Sequence, residues 1–104
     1  MTFQVFAKEG CELCEKAQSV LKHAGVEPEV RYVEGTAATP ENMADFAWYD
    51  WTDKPPLVVA LEEGRLVQRW DGRDVMAAWL PHLRQWLASR AAAPGTAGGS
   101  TGVQ

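Results

Sequence analysis

The sequence predicts an α/β domain in which a mixed four-stranded sheet is flanked by helices on both faces. Strand-like and helix-like segments alternate in the order β-α-β-α-β-β-α along the first 90 residues. A strand, a crossover helix and a second strand at the start imply a parallel pair with a right-handed connection. Two short strands separated by a tight turn imply an antiparallel hairpin. Helices must then cover both faces of the resulting sheet.

The first strand and the first helix are separated by a short turn. Residues 2–7 are β-branched and aromatic, which is typical of a strand. Between residues 12 and 24 the apolar side chains recur at intervals of three and four, which predicts one buried helical stripe. Gly25 suits the end of this helix, because glycine readily adopts the left-handed conformation found there. Residues 28–34 predict the second strand.

The middle of the chain predicts a second helix and a hairpin. Thr39 is a suitable N-cap and Pro40 fits the first helical position, so we expect a helix over residues 40–49. Residues 57–61 are an apolar, β-branched run that predicts a buried strand. After a Glu-Glu-Gly turn, residues 65–70 alternate in polarity and complete the hairpin.

The last helix is predicted over residues 74–90, where apolar side chains lie at helical spacing. Pro81 lies inside this pattern and is expected to kink the helix or to divide it in two. The final stretch, residues 91–104, is uncharged and rich in Gly, Ala, Ser and Thr, so it offers too little apolar surface to fold. We therefore expect one domain over residues 1–90, followed by a flexible tail.

The composition argues against several classes of partner. The net charge is −4 and the pI is about 5.1, which argues against nucleic acid, since phosphate backbones attract basic surfaces. No apolar run approaches the roughly 20 residues of a membrane span. The start, "MTFQVFAKEGC", lacks the basic and long apolar regions of a signal peptide. We therefore expect a cytoplasmic protein and a monomer.

The two cysteines of the chain, Cys11 and Cys14, lie at the junction of the first strand and the first helix. A helix begins with unpaired N–H groups and a partial positive charge, so a thiolate at that position is stabilised. Cys11 lies nearest to these groups and is the predicted nucleophile, while Cys14 is placed to resolve a mixed disulfide. Lys8 adds positive charge nearby. Three neighbouring carboxylates oppose the thiolate: Glu9, Glu12 and Glu15.

Two other interpretations of the cysteine pair stay open. The cysteines could be ordinary buried hydrophobic residues, or they could form part of a metal site. A closed zinc site needs four ligands, and the two histidines, His23 and His82, show no paired spacing that would complete one. A metal ion or cluster shared between two chains is compatible with the sequence and is retained as an alternative function.

The sequence resembles the thioredoxin superfamily and, within it, the glutaredoxin branch. The resemblance rests on "FAKEGCELC" with the helix that follows it, and on "KPPLVVALEEGRLVQRWDGRDV". It extends in element order from about residue 2 to residue 88. It implies a thioredoxin-like (glutaredoxin-like) fold and a dithiol thiol–disulfide oxidoreductase activity. It also implies no bound cofactor, with glutathione as the candidate reductant.

The resemblance further implies a cis-proline directly before the third strand, facing the cysteines. In "DKPPLVV" it assigns the cis-proline to Pro56, which precedes the strand directly, with Pro55 as the alternative. In the family, the residue before the cis-proline pairs its backbone N–H and C=O with the bound substrate. Pro55 has no N–H, so one of these hydrogen bonds is lost.

Other family residues are only partly retained. Glutaredoxins hold glutathione with a Gly-Gly turn and an acidic pair, whereas "WDGRDV" keeps Gly72 and Asp74 but lacks the first glycine and the second acid. Between the cysteines, Glu12 and Leu13 replace the usual proline and tyrosine. We therefore expect weakened glutathione binding and a protein disulfide as the other candidate substrate. The implied substrate-binding residues are Lys8, Pro55, Pro56, Gly72 and Asp74.

Five tryptophans are many for 104 residues. Trp79 and Trp86 fall on the stripe of the last helix and are predicted core residues. Trp48, Tyr49 and Trp51 precede the Pro-Pro segment, and they either pack the second helix or form an apolar surface for a partner.

The leading hypothesis is a cytosolic thiol–disulfide oxidoreductase that acts on a protein disulfide, on glutathione or on both. Its electrons would come from glutathione or from a reductase. The alternatives are a metal-binding module that shares its cysteines between two chains, and a domain of the same fold that only binds partners.

Overall fold

The structure follows the predicted order of elements. It is a computed structural model that describes residues 1–49 and 54–92. The strands and helices are β1 (Thr2–Lys8), α1 (Glu12–His23), β2 (Glu29–Glu34), α2 (Pro40–Tyr49), β3 (Leu57–Glu62), β4 (Arg65–Trp70), α3 (Gly72–Met76) and α4 (Trp79–Ala92).

The four strands form one mixed sheet in the order β2-β1-β3-β4. β1 and β2 are parallel, while β3 is antiparallel to both β1 and β4, which confirms the predicted parallel pair and hairpin. The carboxyl ends of β1 and β2 therefore meet at one edge. β3 begins at that edge, where Leu57 pairs with Phe6, and β4 ends there, where Trp70 pairs with Val58. We call this the site edge.

Helices cover both faces of the sheet, as predicted. Along β1, Phe3 and Val5 point to one face and Phe6 points to the other. The first face packs against α1, α3 and α4 in a cluster of Phe3, Val5, Ala7, Cys11, Cys14, Ala17, Leu21, Val58, Ala60, Trp70, Val75, Trp79 and Leu83. The second face packs against α2 in a cluster of Phe6, Val33, Phe46, Leu57, Val59 and Leu61.

The predicted long last helix is divided into α3 and α4. A continuous helix would bring the ring of Pro81 against the carbonyl of Ala77, four residues earlier. The chain avoids this clash because Ala77 is extended, with φ −77° and ψ −173°, and the helix restarts at Trp79. Pro81 then lies in the first turn of α4, where N–H groups have no helical partner to lose.

Both ends of the C-terminal region differ from the prediction. α3 begins at Gly72, two residues before the expected start, because Asp71 rather than a later residue caps it. α4 extends to Ala92, and the rest of the predicted tail, residues 93–104, lies outside the described residues. Trp79 is buried, which confirms it as a core residue, whereas Trp86 is half-buried and packs against the first cluster from its rim. Among the described helices, none has the length and apolar character needed to cross a membrane.

Candidate functional site

The two cysteines lie at the site edge, in the turn between β1 and α1. Gly10 has a φ of 69°, which lets the chain turn sharply after β1. Cys11 is the N-cap of α1, with an extended backbone (φ −101°, ψ 106°), and Cys14 lies in the first helical turn. The two sulfurs form a disulfide, and the Cα atoms are 5.2 Å apart. The predicted position at a strand–helix junction is confirmed.

The backbone of α1 directs an N–H group at the Cys11 sulfur. The Cys14 N–H donates a hydrogen bond to Cys11 Sγ at 3.0 Å, and the Glu15 N–H donates to the Cys11 carbonyl at 3.1 Å. Cys11 is 8% exposed, whereas Cys14 is 1% exposed. Cys11 thus has an amide donor at its sulfur and is the more exposed residue of the two, an arrangement that suits the attacking member of a cysteine pair.

Charged residues that flank the cysteines in sequence are exposed at the surface. Lys8 is exposed at the end of β1, opposite Glu34 in the parallel register. Glu12 and Glu15 are exposed in the first turn of α1. Acidic side chains at this position stabilise the helix through its dipole, but they oppose a nearby thiolate. The substrate-binding role of Lys8 stays a prediction.

Three segments that are distant in sequence meet beside the cysteines. The peptide bond between Pro55 and Pro56 is cis, as the resemblance implies for Pro56. A Cβ added to Gly72 would lie 3.3 Å from Leu13 Cδ2 and 3.5 Å from Pro56 Cδ. The residue between the cysteines, the cis-proline and the start of α3 therefore lie together. Pro56 is fully buried, while Pro55 is half-buried.

The start of α3 is closed by a capping box that the sequence analysis missed. The Asp71 carboxylate accepts hydrogen bonds from the N–H groups of Arg73 (2.9 Å) and Asp74 (3.2 Å). The Asp74 carboxylate in turn accepts the Asp71 N–H at 2.9 Å. Asp74, a predicted substrate-binding residue, thus already has a backbone partner. The sequence signal for such a cap is an Asp, Asn, Ser or Thr followed three residues later by a side chain that can accept the N-cap N–H, usually Glu or Gln and here Asp74.

The environment of Asp71 favours its charged form. Partial burial favours the neutral acid, but the Asp74 N–H, the Arg73 guanidinium and the Arg73 N–H together outweigh this effect. The pKa of Asp71 is therefore lowered from its ordinary value. Asp71 stands where the resembling family has its first glycine. Its carboxylate is thus ionised at neutral pH and already accepts backbone N–H groups of α3.

The predicted aromatic surface is only partly formed by described residues. Trp48 is 81% exposed, whereas Tyr49 is half-buried, with its ring centroid 6.0 Å from that of Phe6. Trp51 lies outside the described residues. A groove of about 520 Å³ is lined by Trp48, Tyr49, Gly64, Arg65, Leu66 and Arg69. Its Gly64 end belongs to the β3–β4 turn, at the opposite edge of the sheet from the cysteines.

Side chains of the types that bind metal ions do not cluster in the part of the chain that the structure describes. There, His, Cys, Asp and Glu side chains form no group of three or more that could hold a metal ion. His23 Nδ1 is instead 2.9 Å from the Ser19 carbonyl oxygen, inside α1.

Comparisons with known proteins agree with the fold, and the segment that a family model matches includes the cysteine pair. The family model described as Glutaredoxin matches residues 3–62, which is more than half of the chain. No curated protein shows significant similarity. Among solved structures, thioredoxin 1 from the thermophilic eubacterium Thermosipho africanus TCF52B is 19% identical, with a TM-score of 0.59. The alignment covers 88% of this chain and 99% of that one, and it shows the thioredoxin fold.

Proposed function

The chain belongs to the glutaredoxin family, and from that premise we propose that it is a dithiol thiol–disulfide oxidoreductase in which Cys11 attacks and Cys14 resolves. The observation that carries this proposal is the pairing of the two cysteines at the start of α1. They are at disulfide distance, and the N–H of Cys14 donates to the Cys11 sulfur.

The proposed reaction begins with the reduced protein. The Cys11 thiolate attacks one sulfur of a substrate disulfide, which forms a mixed disulfide and expels the other substrate sulfur as a thiolate. Cys14 then loses its proton and attacks the Cys11 sulfur. This step releases the second substrate thiolate and forms the Cys11–Cys14 disulfide. Counted from the dithiol form, the protein loses two electrons and two protons, one proton from each cysteine to solvent, and the two substrate thiolates gain the electrons and take up two protons from solvent.

The burial of the two cysteine residues supports this division of roles. Cys11 is the more exposed of the two and can meet an external disulfide, while the N–H at its sulfur stabilises negative charge there. Cys14 is sealed within the first core cluster, so it is shielded from external disulfides but adjacent to Cys11. A resolving thiol needs only this intramolecular access.

For the substrate we propose a protein disulfide in preference to glutathione. Leu13 and Gly72 are half-buried and supply an apolar wall beside the cysteines, with the buried Pro56 next to Gly72. Pro55 has no N–H to offer a small ligand, and the Asp71 carboxylate already accepts the N–H groups of Arg73 and Asp74 at the start of α3. A protein substrate has additional surface through which it can compensate for these missing contacts. Lys8 remains the proposed contact for an acidic group of the substrate.

The decisive experiment identifies the electron donor and tests the roles of the two cysteines. The oxidised protein is supplied with glutathione and glutathione reductase, or with a thioredoxin reductase system, and its reduction is followed by thiol titration. Turnover of a disulfide substrate should be lost in Cys11→Ser. The Cys14→Ser protein should accumulate a mixed disulfide between Cys11 and the substrate. Full turnover by Cys11→Ser would show that the proposed nucleophile is wrong.

A further inference from the structure

The Glu9 side chain is held by the turn that follows β2. Its Oε1 accepts two hydrogen bonds from Thr36, one from the backbone N–H at 3.1 Å and one from the hydroxyl at 2.7 Å. The side chain also crosses the backbone of Gly35, where φ is 99° and any Cβ would overlap it. We call these contacts the Glu9–Thr36 link. Gly35 is therefore required both for its φ and for the space that Glu9 occupies.

The link joins two turns at the site edge. Glu9 and Gly10 form the turn between β1 and Cys11, and Thr36 lies in the turn between β2 and α2. The β1–β2 pairing becomes irregular between Ala7 and Lys8, just before the strands end. The side chain of Glu9 thus connects the two chain segments where the regular backbone ladder stops.

The link also fixes the direction of a negative charge. Cys11 belongs to the core cluster on the α1 face of the sheet. Thr36 leads into α2, which covers the opposite face. The Glu9 carboxylate, two residues from Cys11 in sequence, is held against Gly35 and Thr36 by the two Thr36 donors. A carboxylate without this restraint could approach the Cys11 sulfur and disfavour its thiolate.

We propose that Glu9 is a positioning residue, whose link to Thr36 fixes the turn that carries Cys11 and keeps the carboxylate charge away from the Cys11 sulfur. The inference rests on the proposed role of Cys11 as the attacking thiolate. Glu9 acts through the geometry and electrostatics of Cys11 and does not touch the substrate.

The test is the pH dependence of Cys11 alkylation by iodoacetamide in the reduced protein. Thr36→Val keeps the size of the side chain but removes the shorter of the two hydrogen bonds. A unit charge released to within about 6 Å of the sulfur, in surroundings as polar as water, raises the pH midpoint by about half a unit. The alkylation rate below the midpoint should therefore fall about threefold. Because alkylation needs no disulfide substrate, this result does not depend on whether the protein turns over a disulfide.

Two controls separate the charge from a general loss of structure. In a Glu9→Gln background no charge can be released, so Thr36→Val should no longer raise the midpoint. Thr39→Val removes a different hydroxyl, one that caps α2 by accepting the Asn42 N–H at 3.0 Å. This variant should lower the melting temperature and leave the alkylation midpoint in place.

Three results would overturn the inference. One is an unchanged midpoint in Thr36→Val, and another is an equal upward shift with and without the Glu9 charge. The third applies even if Thr36→Val fails to fold. The near-isosteric Glu9→Gln variant should by itself move the midpoint by much less than half a unit, because the link already restrains the charge. A fall of half a unit or more would show that the Glu9 carboxylate acts on Cys11 in the native protein.

Discussion

Removal of the cap at the start of α3 should destabilise the protein by a measurable amount. Asp71→Ala deletes the acceptor for the N–H groups of Arg73 and Asp74. Loss of an N-cap acceptor typically costs about 0.5–2 kcal/mol. Since water can replace part of this cap at an exposed helix end, we expect the free energy of unfolding to fall by about 1 kcal/mol. In a domain of this size the melting temperature should then fall by about 4–8 °C.

The matched control and the pH dependence test the mechanism of this loss. Asp71→Asn keeps an acceptor oxygen but no charge, so at pH 7 its stability should lie between those of the wild type and Asp71→Ala. The pKa of Asp71 is lowered on folding, so its carboxylate contributes fully above the unfolded pKa of about 3.9. That contribution is lost as the pH falls through the lower folded pKa. The stability gap between the wild type and Asp71→Asn should therefore be constant from about pH 7 to 5 and narrow below about pH 4.

The assay is denaturant unfolding of the oxidised proteins, followed by far-UV circular dichroism at each pH. Oxidised protein is used so that the cysteine pair does not titrate over this range. Equal stability of Asp71→Ala and the wild type at pH 7 would refute the energetic role of the cap. If the difference in the free energy of unfolding between the wild type and Asp71→Asn widened on acidification, the pKa of Asp71 would not be lowered on folding.

Three further predictions concern the cysteines and the wall beside them. At neutral pH, iodoacetamide should label Cys11 before Cys14 in the reduced protein, since Cys11 is the more exposed; peptide mass mapping that finds Cys14 labelled first would reverse their roles. Pro55→Val restores an N–H that can donate a hydrogen bond worth about 0.5–1.5 kcal/mol, so glutathione-dependent reduction should improve roughly two- to tenfold while the rate with a protein disulfide stays the same. No gain with glutathione would show that the missing N–H of Pro55 does not weaken glutathione binding. Gly72→Ala should lower kcat/KM, because the added Cβ would lie only 3.3 Å from Leu13 Cδ2. In a Leu13→Val background, which lacks that atom, Gly72→Ala should have no effect on kcat/KM, and an equal loss in both backgrounds would point to another cause.

Local patterns in the sequence were sufficient to predict most of the fold. The helical stripe after Cys11 and the β-branched run at residues 57–61 reflect burial of one helix face and of a whole strand, and both elements formed as expected. The cysteine pair was also correctly placed at the strand–helix junction, because its position follows from neighbouring elements alone. The cis bond at Pro56 came from the family resemblance, since composition alone would not indicate it.

The features that the sequence did not predict depend on which side chain caps the N–H groups of a helix, or on contacts between residues distant in sequence. Apolar spacing placed the start of the last helix at Asp74, but hydrogen bonding placed it at Gly72 because Asp71 caps two N–H groups. Apolar spacing carries no information about such a cap. The Glu9–Thr36 link joins residues 27 positions apart, and no local pattern of either segment indicates it.

The topology explains why these missed contacts lie at the same end of the sheet as Cys11. β1 and β2 end at the site edge, β3 begins there, and β4 ends there. The cysteine turn, the turn that holds Thr36, the cis-proline and the start of α3 must therefore share one end of the sheet. Each of these segments adjoins a strand whose position the hydrogen-bonded ladder fixes, so the ladder also determines which of their side chains can meet. A substitution in any of these segments can thus alter the environment of the Cys11 sulfur without touching it, whereas substitutions at the β3–β4 turn should act on stability alone.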